Sequence, residues 1–226
     1  MNPQHIKNII FDLGNVIIDL DLARTESEFE ALLGSDYRLA LQKHNLQTVF
    51  ERYETGMIDE NTFLNAMQQA ALPKVVQKTD IINAWNAMLL TIPAARFDML
   101  LQLKQHYRVF LLSNTNKTHL DWVYNYLKTT YDIHDFEIRY FHKDYYSHLI
   151  HLRKPNVDIY EYVLQDANLK ANESVFIDDV AANIEGAKLA GLHTIHHVVG
   201  AEIVDVMEVF LKRPPNPPKE DFTIVE

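Results

Sequence analysis

Three apolar residues stopped by a carboxylate constrain this chain more than any other feature in it. Within Ile6 to Asp19, IKNIIFDLGNVIID, the run Ile9, Ile10 and Phe11 suits a buried strand, Asp12 ends it, and Gly14 with Asn15 marks a sharp turn. In open α/β sheets the carboxyl ends of the strands form the crevice where ligands bind, so Asp12 stands where chemistry is expected. Taken alone, the stretch also has a plainer reading, in which Asp12 caps the turn and Gly14 only permits its backbone geometry.

Further strands end in the same way downstream. Arg108 to Leu112 (RVFLL) stops at Ser113 and Asn114, Phe136 to Phe141 alternates like a third strand, and Thr194 to Val199 reads as a fifth. The fourth, Ser174 to Ile177, runs directly into Asp178 and Asp179. Helical spacing fills the intervals: Phe97 to about His106, a helix from about Asn116, one carrying Ile159, Tyr162, Val163 and Leu164, and Ala181 to Ala190 closing at Gly191. Lys154 and Pro155 sit at a loop-to-helix junction, where a cation can point into a cleft. Adjacent carboxylates repel and raise one another's pKa unless a cation lies close by. Asp178 and Asp179 are therefore a candidate site for a small hard cation such as magnesium. Each residue has a bland alternative, a solvated lysine or a helix-capping Asp pair; their joint placement on one sheet edge is the specific signal.

Between about Leu20 and Leu90 the pattern becomes purely helical, broken at Gly34, Gly56 and Pro73, with Asp59 reading as a helix start. A helical insert after the first strand is the simplest account. At 226 residues the chain is long enough for one sizeable core and such an insert. The net charge of −10 argues against nucleic acid and anionic membrane as partners. The absence of cysteine excludes disulfides, zinc–thiolate sites and a thiol nucleophile. With neither a basic leader nor an apolar run of roughly 20 residues, a cytoplasmic location is expected.

An Asp, a Ser, a Lys and an Asp pair at one end of a parallel sheet make a nucleophile, a phosphate donor, a counter-cation and a metal site. The chain resembles the haloacid dehalogenase-like hydrolase superfamily over nearly its whole length: FDLGNVIID is similar to the first motif, LLSNT to the second, RKPNVDIY to the third and FIDDVAANIEGAKLAG to the fourth. The resemblance implies an α/β fold with a Rossmann-like parallel β-sheet core and helices on both faces, over residues 1–20 and 91–212. A small all-helical cap is implied over 21–90, and 213–226, rich in proline, reads as an extended tail.

The same resemblance implies roles. Asp12 would attack phosphorus and become an aspartyl phosphate that water hydrolyses. Magnesium would be held by Asp12, the carbonyl of Gly14 and Asp179, with Asp178 alongside or through water. Ser113 and the backbone at Asn114 would bind the phosphoryl oxygens, and Lys154 would hold Asp12 and the phosphate by charge. Most phosphatases of the family carry a second Asp two residues after the nucleophile, as general acid and base; Gly14 stands there instead. Help of that kind is worth ~10²–10⁴ in rate. The DLGN version resembles a bacterial subgroup that includes glucose-1-phosphatase-like enzymes, so the expected substrate is a small phosphorylated metabolite such as a hexose 1-phosphate.

Three rivals stand beside this expectation. A dehalogenase would not need Asp178 and Asp179 together, and a phosphonate hydrolase would need a Schiff-base lysine, for which Lys43, Lys74 and Lys78 are available. A domain that lost turnover at Gly14 would serve as a metal- and phosphate-binding sensor or scaffold. Of the eleven histidines, only His148 and His151, in the loop before Lys154, are candidates for a proton relay. Oligomeric state is not readable from the sequence.

Overall fold

The computed structural model describes residues 5–34 and 37–212, without the side chain of Tyr37. Among these residues, five parallel strands form one sheet: β1 (Asn8–Phe11), β2 (Arg108–Ser113), β3 (Lys143–Tyr146), β4 (Ser174–Asp178) and β5 (His193–His196), in the order β3-β2-β1-β4-β5. The chain moves outward from β1 through β2 to β3 and then returns to the other side of β1 for β4, so the order reverses beside β1. That reversal opens the crevice at the carboxyl ends of β1 and β4.

Successive side chains of a strand point to opposite faces, and both faces are apolar here. Ile9 and Phe11 of β1, Val109 and Leu111 of β2, and Val175 and Ile177 of β4 pack beneath α6 (Ala94–Lys104), α7 (Lys117–Tyr131) and α12 (Ile203–Leu211). Ile10, Phe110, Leu112 and Phe176 pack beneath α10 (Val157–Asp166) and α11 (Ala181–Leu189) on the other side. The tail read over 213–226 lies outside the described residues.

Two strands differ from expectation: the fifth ends at His196 rather than Val199, and the third lies elsewhere. Residues Phe136–Tyr140 form a short helix, α8, and the third strand is Lys143–Tyr146. Phe136, Ile138 and Tyr140 have the spacing of a strand, but Phe136 and Tyr140 are also one helical turn apart. Both are buried while Ile138 is 81% exposed, which a helix allows and a strand with these three on one face would not. The true strand begins with Lys143 and Asp144, charged as befits the edge of a sheet, and so gives no apolar signal.

Among the described residues, those between β1 and α6 form five helices: α1 (Leu22–Leu33), α2 (Tyr37–Lys43), α3 (Leu46–Glu54), α4 (Glu60–Ala71) and α5 (Lys78–Asn86). Asp59 caps α4 by accepting from the Thr62 amide at 2.7 Å. The helices share a separate core around Phe29, Phe63, Met67 and Trp85. The two connections to the rest of the chain lie side by side, with Leu20 bridging Leu89 and the Asp19 amide donating to Thr91 O.

Candidate active site

Asp12, Ser113, Asp178 and Asp179 fall at the carboxyl edge of the sheet, and Lys154 reaches it from the loop before α10. Asp12 follows β1, and its amide donates to Ile177 O of β4 at 2.9 Å, which ties the nucleophile candidate to the strand that carries the Asp pair. Ser113 ends β2 and is buried; Asp178 ends β4 and Asp179 follows it. Carboxylate oxygens of Asp12, Asp178 and Asp179 lie within 4.8 Å of one another.

Lys154 joins these elements. Its ammonium is buried and lies 2.7 Å from Asp12 Oδ1 and 2.7 Å from Asp178 Oδ2, and it donates to Leu112 O at 3.0 Å. Asn114 fixes the lysine's backbone: its Nδ2 donates to Lys154 O at 2.9 Å, and its Oδ1 accepts from the Lys154 amide at 3.0 Å. A side chain just beyond β2 thus sets where the cation stands.

Two carboxylates share this one cation. Burial works against charge on Lys154, but Asp12 and Asp178 outweigh it and hold the ammonium above its ordinary pKa. Burial pushes Asp12 up to about 7, against the pull of Lys154 and with a further push from Asp178. The cluster keeps an uncompensated negative charge, the condition a divalent cation relieves. The donor set, all oxygen, fits a hard ion.

The two members of the Asp pair are not equivalent. Asp178 is wholly buried; its Oδ1 accepts from the Val180 amide and Asn183, and its Oδ2 from Lys154 and Asn183. Asp179 is only partly buried, and its Oδ2 accepts from Asn15 Nδ2 at 2.9 Å. Asn15 sits in the left-handed region, φ 52°, and its Oδ1 takes the Leu20 amide. Asn15 and Asn183, which donate to the pair, are not among the residues expected from the sequence at this site. Their signals were an amide in a turn after a nucleophile and an Asn five residues beyond Asp178.

Gly14 stands against Leu20, whose Cδ1 is 2.7 Å from where a Cβ on residue 14 would lie. Leu20, on the connection into the helical segment, thus occupies space beside the missing acid. The helical segment itself docks on the first turn of α7 and on the short helix α9 (Ser147–Ile150) after β3. Tyr53 Oη lies 2.6 Å from Thr118 Oγ1, Thr118 in turn donates to Glu60, and the Trp85 ring stacks on His119 at 5.0 Å. His119 is buried, and desolvation lowers its pKa to about 4, so it is a neutral packing partner. His148 and His151 have no hydrogen bond to Asp12, Lys154 or the Asp pair among the described residues; His151 Nδ1 faces Thr55 O at 2.8 Å. A Cβ on Gly56 would meet the carbonyl oxygen of His148, so the segment comes close to the backbone there.

A model of the haloacid dehalogenase-like hydrolases matches residues 6–191. The chain is 27% identical over 208 residues to a D-ribitol-5-phosphate phosphatase of Bacteroides thetaiotaomicron, covering 91% of this chain and 98% of that protein. Among solved structures it is similar to a HAD family enzyme of Bacteroides thetaiotaomicron in complex with magnesium and inorganic phosphate, with TM-score 0.78 and 33% identity over 89% of this chain and 98% of that one. A HAD-like hydrolase of Porphyromonas gingivalis has TM-score 0.78 and 30% identity over 93% of this chain and 100% of that one.

Proposed function

The chain belongs to the haloacid dehalogenase-like hydrolases, and from that premise we propose that it is a magnesium-dependent phosphatase of a small sugar or alditol phosphate that works through an aspartyl phosphate on Asp12. The observation that carries this reading is the buried Lys154, held 2.7 Å from both Asp12 and Asp178 of an oxygen-only cluster. In that position the ammonium orients the Asp12 carboxylate and offsets the charge of an incoming phosphate. Magnesium, when bound by Asp12, the Gly14 carbonyl and Asp179, supplies the divalent charge that lets a carboxylate approach a phosphate dianion. Asp178, with both oxygens accepting hydrogen bonds, holds Lys154 and would add its charge to the ion's surroundings rather than serve as a direct ligand.

An Asp12 oxygen attacks phosphorus, an O–P bond forms, and the bond to the substrate oxygen breaks. Ser113 and the Asn114 amide bind the phosphoryl oxygens. Gly14 has no proton to give the leaving oxygen, which takes one from solvent or from a hydroxyl of the substrate itself. Water then cleaves the aspartyl phosphate and regenerates Asp12. The substrate of the Bacteroides thetaiotaomicron phosphatase favours an alditol phosphate; the DLGN sequence favours a hexose 1-phosphate. Phosphate release from both classes, with magnesium and with a chelator, tests the reading. Release from neither in the presence of magnesium would sink it in favour of a sensor or scaffold.

Asn15 gives a test of the metal site. Asn15→Gly keeps the left-handed backbone but removes the amide that holds Asp179. Losing such a supporting hydrogen bond weakens metal binding roughly 10–100-fold. Calorimetric titration with magnesium reads this directly, and unchanged affinity would remove Asp179 from the ligands.

The raised Asp12 pKa gives another. Its folded value of about 7 exceeds that of an unfolded carboxyl, so the metal-free protein keeps a proton that the unfolded chain releases. Stability from this group is full below the unfolded value of about 4 and declines as pH rises towards the folded one. Magnesium competes with that proton. The gain in Tm on saturation with magnesium is therefore expected to be larger at about pH 8 than at about pH 5; equal gains would show that Asp12 is no ligand.

A further inference from the structure

Asn86, the last residue of α5, is 8% exposed, and its Oδ1 has no hydrogen-bond partner. Native proteins seldom leave a buried amide oxygen unpaired, and such groups gather where a ligand supplies the partner. The place of Asn86 in the fold gives it a reason. The preceding residue, Trp85, donates from its indole to Asn116 Oδ1 at 3.4 Å and accepts from His119 Nε2 at 3.1 Å, so α5 ends against the loop that follows Ser113. Three residues beyond Asn86, Leu89 bridges Leu20, the side chain beside Gly14. Asn86 therefore stands, on the helical side, between a contact to the loop after Ser113 and a contact to the side chain beside Gly14.

We propose that Asn86 is a specificity-determining residue whose Oδ1 accepts a hydrogen bond from a hydroxyl of the leaving group. This rests on the phosphatase reading and deepens it: the site selects polyhydroxylated phosphates over aryl or alkyl ones. A carboxamide oxygen accepts and does not donate, so what it reads is an O–H. A buried acceptor also discriminates well, because an analogue without the hydroxyl leaves it unpaired.

Asn86→Leu keeps the volume and removes the acceptor. The experiment compares kcat/KM for ribitol 5-phosphate with that for 4-nitrophenyl phosphate, in wild type and variant, beside their melting temperatures. The expected result is a fall of about tenfold in the ratio of the two kcat/KM values, as for the loss of one hydrogen bond. The Tm should be no lower than that of wild type, since an orphaned polar atom has been removed. An unchanged ratio with both substrates turned over by wild type would overturn the assignment and leave the phosphatase reading intact. So would an equal loss on both substrates with a lowered Tm, which is the signature of a structural role. Release from neither substrate by wild type would overturn both.

Discussion

Asp12→Asn is expected to lower magnesium-dependent phosphate release by at least about 10⁴-fold, the scale of loss when a covalent nucleophile is removed. The amide has the same shape as the carboxylate but cannot form a stable bond to phosphorus. The fold should tolerate the change. Lys154 keeps Asp178 and Leu112 O as partners, and the variant no longer buries a carboxylate whose pKa burial has raised to about 7. Loss of activity at a Tm within a few degrees of wild type thus separates chemistry from stability. A variant within tenfold of wild type would mean that water attacks phosphorus directly, and Asp12 would lose its assigned role.

The second large effect is on stability as well as rate. In Lys154→Met the Asp12 and Asp178 carboxylates lose the cation they share, with Asp178 entirely buried. Breaking a buried pair from one side typically costs about 3–5 kcal/mol, because the remaining charge is uncompensated. For a chain of this size that is a fall in Tm of roughly 6–20 °C. Protonating a carboxylate relieves the repulsion, so the loss should shrink as pH falls from about 8 towards 5. Saturating magnesium should recover part of the Tm and little of the activity, since the ion replaces charge but not the bonds to Asp12 and Leu112 O. A Tm equal to wild type at every pH would show that Lys154 does not hold the cluster together.

What was legible in the sequence follows from how far each interaction reaches along the chain. Strand ends announce themselves locally, an apolar run and then a polar stop, and so the edge that gathers Asp12, Ser113, Lys154 and Asp178 could be read in advance. The α/β core with helices on both faces followed from the same runs. Phe136 to Phe141 was misread because its period fits helix and strand alike, and only burial distinguishes them. Lys154 was expected beside Asp12, whereas the long-range partners of Asp179 and of the helical segment were not legible. Asn15 and Asp179 are 164 residues apart, and Trp85 and Asn116 are 31 apart. Nothing in the local pattern of either pair states that they meet. Likewise the space beside Gly14 gave no sign that a leucine six residues later would fill it.

The paired connections at Leu20 and Leu89 bear on how such a chain could have arisen. The excursion through five helices leaves and re-enters at points one β-bridge apart. Exchanging it for a shorter or longer one would therefore change the closure entropy of the sheet domain only slightly, because the ends already meet. Residues 21 to 88 could be traded in descent as a cassette. The edge that gathers Asp12, Ser113, Lys154 and Asp178 would stay constant while the helices joined to it changed.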